Sequence, residues 1–324
     1  MSRFHALTVS EIERTTDDCS VVTLSVPQEK QADFQFKQGQ YLTFKTLINE
    51  EEVRRTYSLC SSPVDQKWSV AIKQIHGGLF STFANTQLRV GDRLESMPPA
   101  GDFYVEVDSK KARNYIAFAA GSGITPILSI IKTHLSAEPH STFQLFYINR
   151  TVSSIILKEE LEALKNTFLD RLEIFYFLTR EHRNIPLLNG RIDRSKLQDI
   201  FSTICKVDSV DHCFICGPKE MIFLVRDELE TAGLAKENIH YELFFSGDTN
   251  EAPTKPVENK ADGASVTIID GGKEFHLTMG DENDNILDAA LAAGADLPFA
   301  CKGGVCSTCK CQVLEGTVEM KKNY

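Results

Sequence analysis

Four cysteines crowd into eleven residues near the end of the chain, Cys301, Cys306, Cys309 and Cys311 of "CKGGVCSTCKC". A loop that must turn several thiols toward one point is hard to build from regular helix or strand, so this stretch constrains its domain more than any other. C-x4-C-x2-C with a later fourth cysteine is the spacing of plant-type [2Fe–2S] ligation. Zinc knuckles pair two C-x2-C units, and four-iron sites repeat C-x2-C-x2-C. Gly303 and Gly304 lie between the first two thiols, where glycine lets the backbone wrap closely and aim N–H groups at sulfur. Cys301, Cys306 and Cys309 are therefore the predicted metal ligands. Cys311 is a poor fourth. On a strand over 309–313 it would share a face with Cys309 yet stand about 7 Å away, too far for two thiolates on one iron.

Nine cysteines also say something about surroundings. The first residues, "MSRFHALTVSEIERTT", show neither an apolar run nor a small-residue cleavage site. Reduced thiols, metal ligation or redox chemistry fit better than a disulfide framework. No window approaches the roughly 18 uninterrupted apolar residues of a membrane span, so the expected address is the cytoplasm, with no membrane partner. A net charge of −10 lacks the basic excess that nucleic-acid binding requires. At 324 residues the chain can make two or three domains, each with its own core.

The hydrophobic rhythm changes twice. Up to about residue 108, β-branched and aromatic runs such as "HALTVSEIERTT", "SVVTLSVP", "QYLTFKTLI" and "KWSVAIKQI" alternate with Gly and Pro punctuation, which predicts a small antiparallel β-barrel. Over 109–245, strands alternate with amphipathic helices, as in "NYIAFAAGSGITPILSIIKTHL". That order predicts a doubly wound α/β domain on a parallel sheet. Residues 246–263, "SGDTNEAPTKPVENKADG", carry no hydrophobic period and read as a linker. From 264 to 324 a strand pair around Gly271-Gly272, a helix "ILDAALAAGA" and the cysteine loop predict a small α+β domain.

Several short motifs point at nucleotide chemistry. "AAGSGITP" places Gly121 and Gly123 after a buried strand and before a helix, so the backbone can approach a dinucleotide phosphate. "HGGLFS" offers the amides of Gly77 and Gly78 and a helix start at Ser81, an anion site. The second strand of the α/β domain ends "YINR" and the third "FLTR". Arg150 stands where an NAD-specific enzyme places an acid, and Arg180 is a second basic residue nearby, which favours NADPH and its 2′-phosphate. In "HCFICGP", Cys213 falls inside a hydrophobic strand and reads as structural, as do Cys19, Cys60 and Cys205.

"RRTYSLCSSP", "GGLFS", "AAGSGITP", "FICGP" and "DLPFACKGGVCSTCKC" together resemble the ferredoxin–NADP reductase family fused to a C-terminal plant-type ferredoxin domain, the reductases that feed electrons to bacterial oxygenases. The resemblance covers the chain in the order flavin barrel, nicotinamide domain, linker, β-grasp ferredoxin domain. It implies FAD held by Arg55, Thr56, Tyr57 and Ser58, with Arg55 on the diphosphate, Tyr57 flat against the flavin, and Val70, Ala71 and Ile72 beside the ring. Arg54 is expected to be a solvated surface charge. Thr125, Cys216 and Glu242 take the catalytic positions, Gly217 and Pro218 complete the nicotinamide-side turn, and Phe244 closes the fold beside the flavin, with either Phe244 or Phe245 touching the ring. The family's fourth cluster cysteine would fall past Tyr324, which implies a truncated form that holds [2Fe–2S] poorly. The implied activity passes electrons from NADPH through FAD and [2Fe–2S] to a multi-subunit di-iron oxygenase. Two alternatives stand beside it: a reductase of an aromatic-ring dioxygenase or hybrid-cluster protein, and a non-catalytic electron-transfer adaptor.

Overall fold

The computed structural model describes residues 4–244, 263–279 and 285–320. Contacts divide the chain after Phe244 into two units, and each is treated by itself. The first unit opens with β1 (His5–Thr16), β2 (Cys19–Ser25), β3 (Tyr41–Ile48), β4 (Glu51–Ser58), β5 (Trp68–Lys73) and β6 (Arg93–Ser96). These form one antiparallel sheet in the order β4-β3-β6-β1-β2-β5. A bridge between Leu59 and Val70 joins its two edges and closes the barrel. Closure removes the exposed strand edges that an open sheet would carry. Alternate residues fill the interior: Leu7, Val9, Val22, Leu42, Phe44, Val70 and Ile72. Helix α1 (Leu79–Thr86) adds Phe80 and Ala84 to the same core. Strand β6 carries no sequence signal of its own, since only Leu94 and Ser96 of its four residues are buried.

Beyond the barrel, β7 (Asn114–Ala120), β8 (Thr142–Asn149), β9 (Leu172–Leu178), β10 (His212–Gly217) and β11 (Ile239–Leu243) make a parallel sheet in the order β11-β10-β7-β8-β9. Strand β7 shows why helices must cover both faces. Its residues 115, 117 and 119 pack with α2 (Ile124–Ala137) and α3 (Lys158–Thr167). Residues 116 and 118 pack with α4 (Arg194–Thr203) and α5 (Lys219–Thr231). The doubly wound arrangement follows from this two-sided burial.

Helix α2 is also the seam to the barrel. Its Ser129 hydroxyl donates to the Ser61 carbonyl at 2.6 Å, its Thr133 hydroxyl meets that of Ser62 at 2.8 Å, and its Lys132 reaches Asp65 at 2.8 Å. At the far end of α2, Glu138 is fully buried. It accepts from the Asp108 N–H at 3.0 Å, Arg113 at 3.1 Å, the Tyr115 hydroxyl at 2.9 Å and the Ser141 hydroxyl at 2.7 Å. Burial opposes its ionisation, but the Asp108 N–H, Ser141, His134 and Tyr115 outweigh that and hold the carboxyl below the ordinary carboxylate value. The segment leading from barrel to sheet is thereby bolted to α2.

In the second unit, β12 (Ser265–Asp270) and β13 (Lys273–Thr278) pair antiparallel through a two-residue turn. Gly271 and Gly272 both take positive φ there, 56° and 80°, as a type I′ turn demands. Helix α6 (Ile286–Ala292) is capped by Asn285, whose Oδ1 accepts from the Asp288 N–H at 2.9 Å. Leu277, Ala289, Ala290, Ala295 and Leu297 form a small core. The strand considered over 309–313 is absent, and this stretch is irregular. Of the linker expected at 246–263, all but Gly263 lies outside the described residues.

Replacing Glu138 by Ala strands a partly buried guanidinium, and should cost about 3–5 kcal/mol. Urea unfolding followed by fluorescence reads this. The contribution is present at neutral pH and is lost on acidification through the lowered carboxyl pKa.

Candidate active site

Strand β4 carries the residues expected on the flavin side, and their burial rises along it. Arg55 is exposed, Thr56 and Tyr57 are half-buried, and Ser58 is buried. The Tyr57 ring lies 5.4 Å from that of Phe80, which fixes it as a half-covered flat surface, and burial raises its hydroxyl pKa. Ser58 ends the strand with its hydroxyl donating to Glu242 Oε2 at 3.1 Å, across 184 residues of sequence. Glu242 comes from β11, beside Cys216 of β10. Burial pushes its carboxyl up to about 8, against a smaller downward pull from the Ser58 hydrogen bond. Phe244 stands 37% exposed two residues on.

Three expectations change on this side. Val70 and Ile72 point into the barrel core, so only Ala71 turns its side chain toward the α/β domain, and the other two could offer a ligand backbone alone. Strand alternation imposes this. Helix α1 starts at Leu79 with Gly78 as its cap, not at Ser81. The Ser81 hydroxyl is spent locally, accepting from Ile75 N–H and donating to the Gly78 carbonyl, each at 3.2 Å. Arg54 is no solvated charge: its guanidinium lies 5.1 Å over the Phe4 ring and pairs with Glu52 at 2.8 Å.

The turn itself fits a diphosphate. The first α1 hydrogen bond runs from Thr82 N–H to the Gly78 carbonyl, so the N–H groups of Leu79, Phe80 and Ser81 precede any helical partner. A Cβ at Gly78 would come within 2.4 Å of Ser81 Oγ, so the space is kept by glycine.

Across the seam, Gly123 is fixed by contact. A Cβ there would lie 2.1 Å from the Cys216 carbonyl, so α2 can begin against β10 only with glycine. Gly121 is fixed by conformation, at φ 52°, and its carbonyl accepts from the buried Tyr147 hydroxyl at 3.0 Å. Tyr147 reads in the sequence as one more apolar position of "FQLFYIN", and nothing there signals this contact. Cys216 is fully buried, and burial raises its thiol well above the ordinary value, so it is an uncharged wall. The Thr125 hydroxyl donates to the Ser122 carbonyl at 3.0 Å, within its own turn. Gly217 packs against Met221 and Ala120, and Pro218 caps α5. Arg150 and Arg180 are neighbours: the Arg180 N–H donates to the Arg150 carbonyl at 2.8 Å. Both are exposed. A cavity of about 1130 Å³ between β1–β2 and α3 is lined by none of the predicted site residues.

In the second unit Cys301 and Cys306 meet. The Cys306 thiol and then the N–H groups of Gly303, Val305 and Cys306 hold the Cys301 thiol below the usual range, and Cys306 is raised in turn. Gly303 N–H lies 3.2 Å from the Cys301 sulfur. Such donors suit a thiolate cluster. Cys309 is exposed but close enough to feel Cys301, and among the described residues no three metal-ligating side chains are gathered into a cage.

Comparison with known proteins agrees in order and extent. The Oxidoreductase FAD-binding domain family matches residues 6–104, the Oxidoreductase NAD-binding domain family 118–238, and the 2Fe-2S iron-sulfur cluster binding domain family 268–324. One subunit of the 1,2-phenylacetyl-CoA epoxidase of Escherichia coli K12 is 42% identical over 324 residues, covering 100% of this chain and 90% of that one. The chain belongs to the FAD- and NAD-binding reductases that carry a 2Fe-2S ferredoxin domain. The ferredoxin reductase component of the Rhodococcus rhodochrous 3-ketosteroid-9-alpha-monooxygenase is 33% identical over 99% of this chain and 89% of its own. Among solved structures, phthalate dioxygenase reductase shares the fold with a TM-score of 0.63 at 24% identity, covering 94% of this chain and 85% of that chain. This reductase is thus an NAD(P)H-dependent oxidoreductase that transfers electrons by way of FAD and a 2Fe-2S centre. Among the described residues no helix is long and apolar enough to cross a membrane.

Two outcomes follow from the geometry. Gly123→Ala should cost about 3 kcal/mol or more in urea unfolding, because a methyl meets backbone that cannot give. Flavin reduction by nicotinamide, timed by rapid mixing, should slow as pH rises through about 8, where Glu242 loses its proton. Glu242→Gln should flatten that profile, and a profile unchanged in this variant would remove Glu242 from the proton inventory.

Proposed function

We propose that this chain is the reductase component of a multi-subunit di-iron oxygenase of the phenylacetyl-CoA epoxidase kind, drawing on NADPH and working in the cytoplasm. The observation that carries it is the 42% identity to the Escherichia coli epoxidase polypeptide along the whole chain, through all three domains. In this proposal residues 1–108 bind FAD, 109–245 bind NADPH, and 264–324 carry the cluster through Cys301, Cys306 and Cys309. FAD bound on β4 supplies the exchange between two-electron and one-electron chemistry that separates a hydride donor from a one-electron centre.

The residues around it have distinct tasks. Arg55 offers a forked cation to the diphosphate, with the amides at Gly77 and Gly78 beside it. Thr56 and Ser58 present hydroxyls, and Tyr57 and Phe244 present ring faces. At neutral pH Glu242 keeps its proton, so it and Ser58 form a neutral donor–acceptor pair at the seam. Cys216, uncharged and walled in, excludes water next to the nicotinamide position, where Gly121, Gly123, Thr125, Gly217 and Pro218 shape the backbone. Exposed Arg150 and Arg180, with no ion-pair partner among the described residues, favour a 2′-phosphate.

An anaerobic titration of the purified full chain tests this. NADPH should bleach the flavin band at far lower concentration than NADH, and Arg150→Ala with Arg180→Ala should remove the difference. Equal response to both coenzymes would overturn the NADPH assignment. Electron delivery to a purified epoxidase core, but not to an aromatic-ring dioxygenase, would support the partner; the reverse would replace it.

A further inference from the structure

The two arginines belong to different loops, and something must hold those loops in step. The Arg180 N–H to Arg150 carbonyl bond and the Thr179 N–H to Asn149 carbonyl bond, at 2.8 and 2.9 Å, continue the β8–β9 edge by backbone alone. Past that point the chains part. Arg150 leads into a turn, residues 151–154, closed by Thr151 N–H to Ser154 Oγ at 3.0 Å. Arg180 leads into a loop that returns at Asn189. There Asn189 Oδ1 accepts from Arg183 N–H at 2.6 Å, and its Nδ2 donates to the carbonyls of Arg183 and Ile185 at 2.8 and 3.1 Å. Lys196 of α4 donates to the Asn189 carbonyl. Each loop is stiff on its own. One side chain joins them: Glu181 Oε2 accepts from the Val152 N–H at 2.8 Å.

We propose that Glu181 is a coenzyme-specificity positioning residue, which ties the turn after Arg150 to the loop of Arg180 and holds both guanidiniums as one 2′-phosphate site. This rests on the NADPH assignment above. An acid so close to a phosphate site looks paradoxical, since its charge repels the phosphate. Two things resolve it. A carboxylate is a strong acceptor for a backbone N–H, and a charged partner makes the bond about twice as strong as a neutral one. The repulsion acts through solvent between exposed groups, where single charge terms are worth about 1 kcal/mol or less. Holding the guanidiniums in one geometry therefore outweighs the charge. Sequence could not show this: position 181 is the second residue of a polar stretch, "REHRN", that reads as surface loop.

Calorimetric titration of the flavin-loaded full chain with NADP+, NAD+, 2′-phospho-AMP and 5′-AMP tests it without depending on turnover. Glu181→Ala should raise the dissociation constants of NADP+ and 2′-phospho-AMP by about fivefold, the loss of roughly one hydrogen bond, and leave NAD+ and 5′-AMP unchanged. Glu181→Gln keeps an acceptor but loses the charge assistance, so it should bind NADP+ between the parent and Glu181→Ala. Glu181→Ala binding NADP+ as well as the parent, or losing NAD+ in equal measure, would overturn the positioning role. Glu181→Gln behaving like Glu181→Ala would do the same. Arg180→Ala separates the two claims. A parent that does not prefer NADP+ defeats the NADPH assignment and the role of Glu181 with it, whereas a preference that survives Arg180→Ala leaves that assignment standing and defeats the arginine-pair site and the role of Glu181. A preference that Arg180→Ala abolishes and Glu181→Ala spares defeats Glu181 alone.

Discussion

The seam between helix α2 and the barrel loop at Ser61–Asp65 is the constraint on which the rest depends. Ser58 and Glu242 lie 184 residues apart and belong to different sheets, yet a hydroxyl and a carboxyl meet at 3.1 Å. That contact exists because α2 is pinned to the barrel by Ser129, Lys132 and Thr133, and at its end by Glu138. The same helix begins at Gly123, pressed on the Cys216 carbonyl. One rigid rod of 14 residues therefore sets the flavin side, the nicotinamide side and the distance between them. Hydroxyl bonds at about 1 kcal/mol each are individually modest. Their value here is geometric, since they select one packing of two independent cores.

The architecture was legible because each segment shows its period openly. β1 is 12 residues of "HALTVSEIERTT", whose alternation holds through Val9 and then slips where the register shifts between Val9 and Glu11 and again between Arg14 and Thr16. The strand–turn–helix of "AAGSGITP" needed no tertiary help to be seen. What escaped was whatever tertiary contact decides. Strand β6 is a strand only because β1 and β3 flank it. Arg54 looks like any surface cation until Phe4 arrives beneath it.

The candidate site divides in the same way. Residue types announced Gly121, Gly123 and the arginine pair, because phosphate chemistry needs bare amides and cations. Pleat direction was not announced, so Val70 and Ile72 turned out to face the core while Ala71 alone faces the seam. Tyr147 and Glu181 are invisible in one dimension, since each acts on a backbone atom of a distant turn. A side chain that works by holding another loop leaves no motif.

The placement of the cysteines has a consequence for how such a protein ages. All five thiols of the first unit are buried: Cys19, Cys60, Cys205, Cys213 and Cys216. The four in the loop are not, with Cys301 and Cys306 partly accessible and Cys309 and Cys311 exposed. Oxidation follows exposure and thiolate character. Cys301, Cys306 and Cys309 are the expected cluster ligands, so the thiol that peroxide and dissolved oxygen would reach first is Cys311, exposed and outside that set. Damage would then begin in the cysteine loop, while the five thiols of the first unit, closed inside their cores, stay intact.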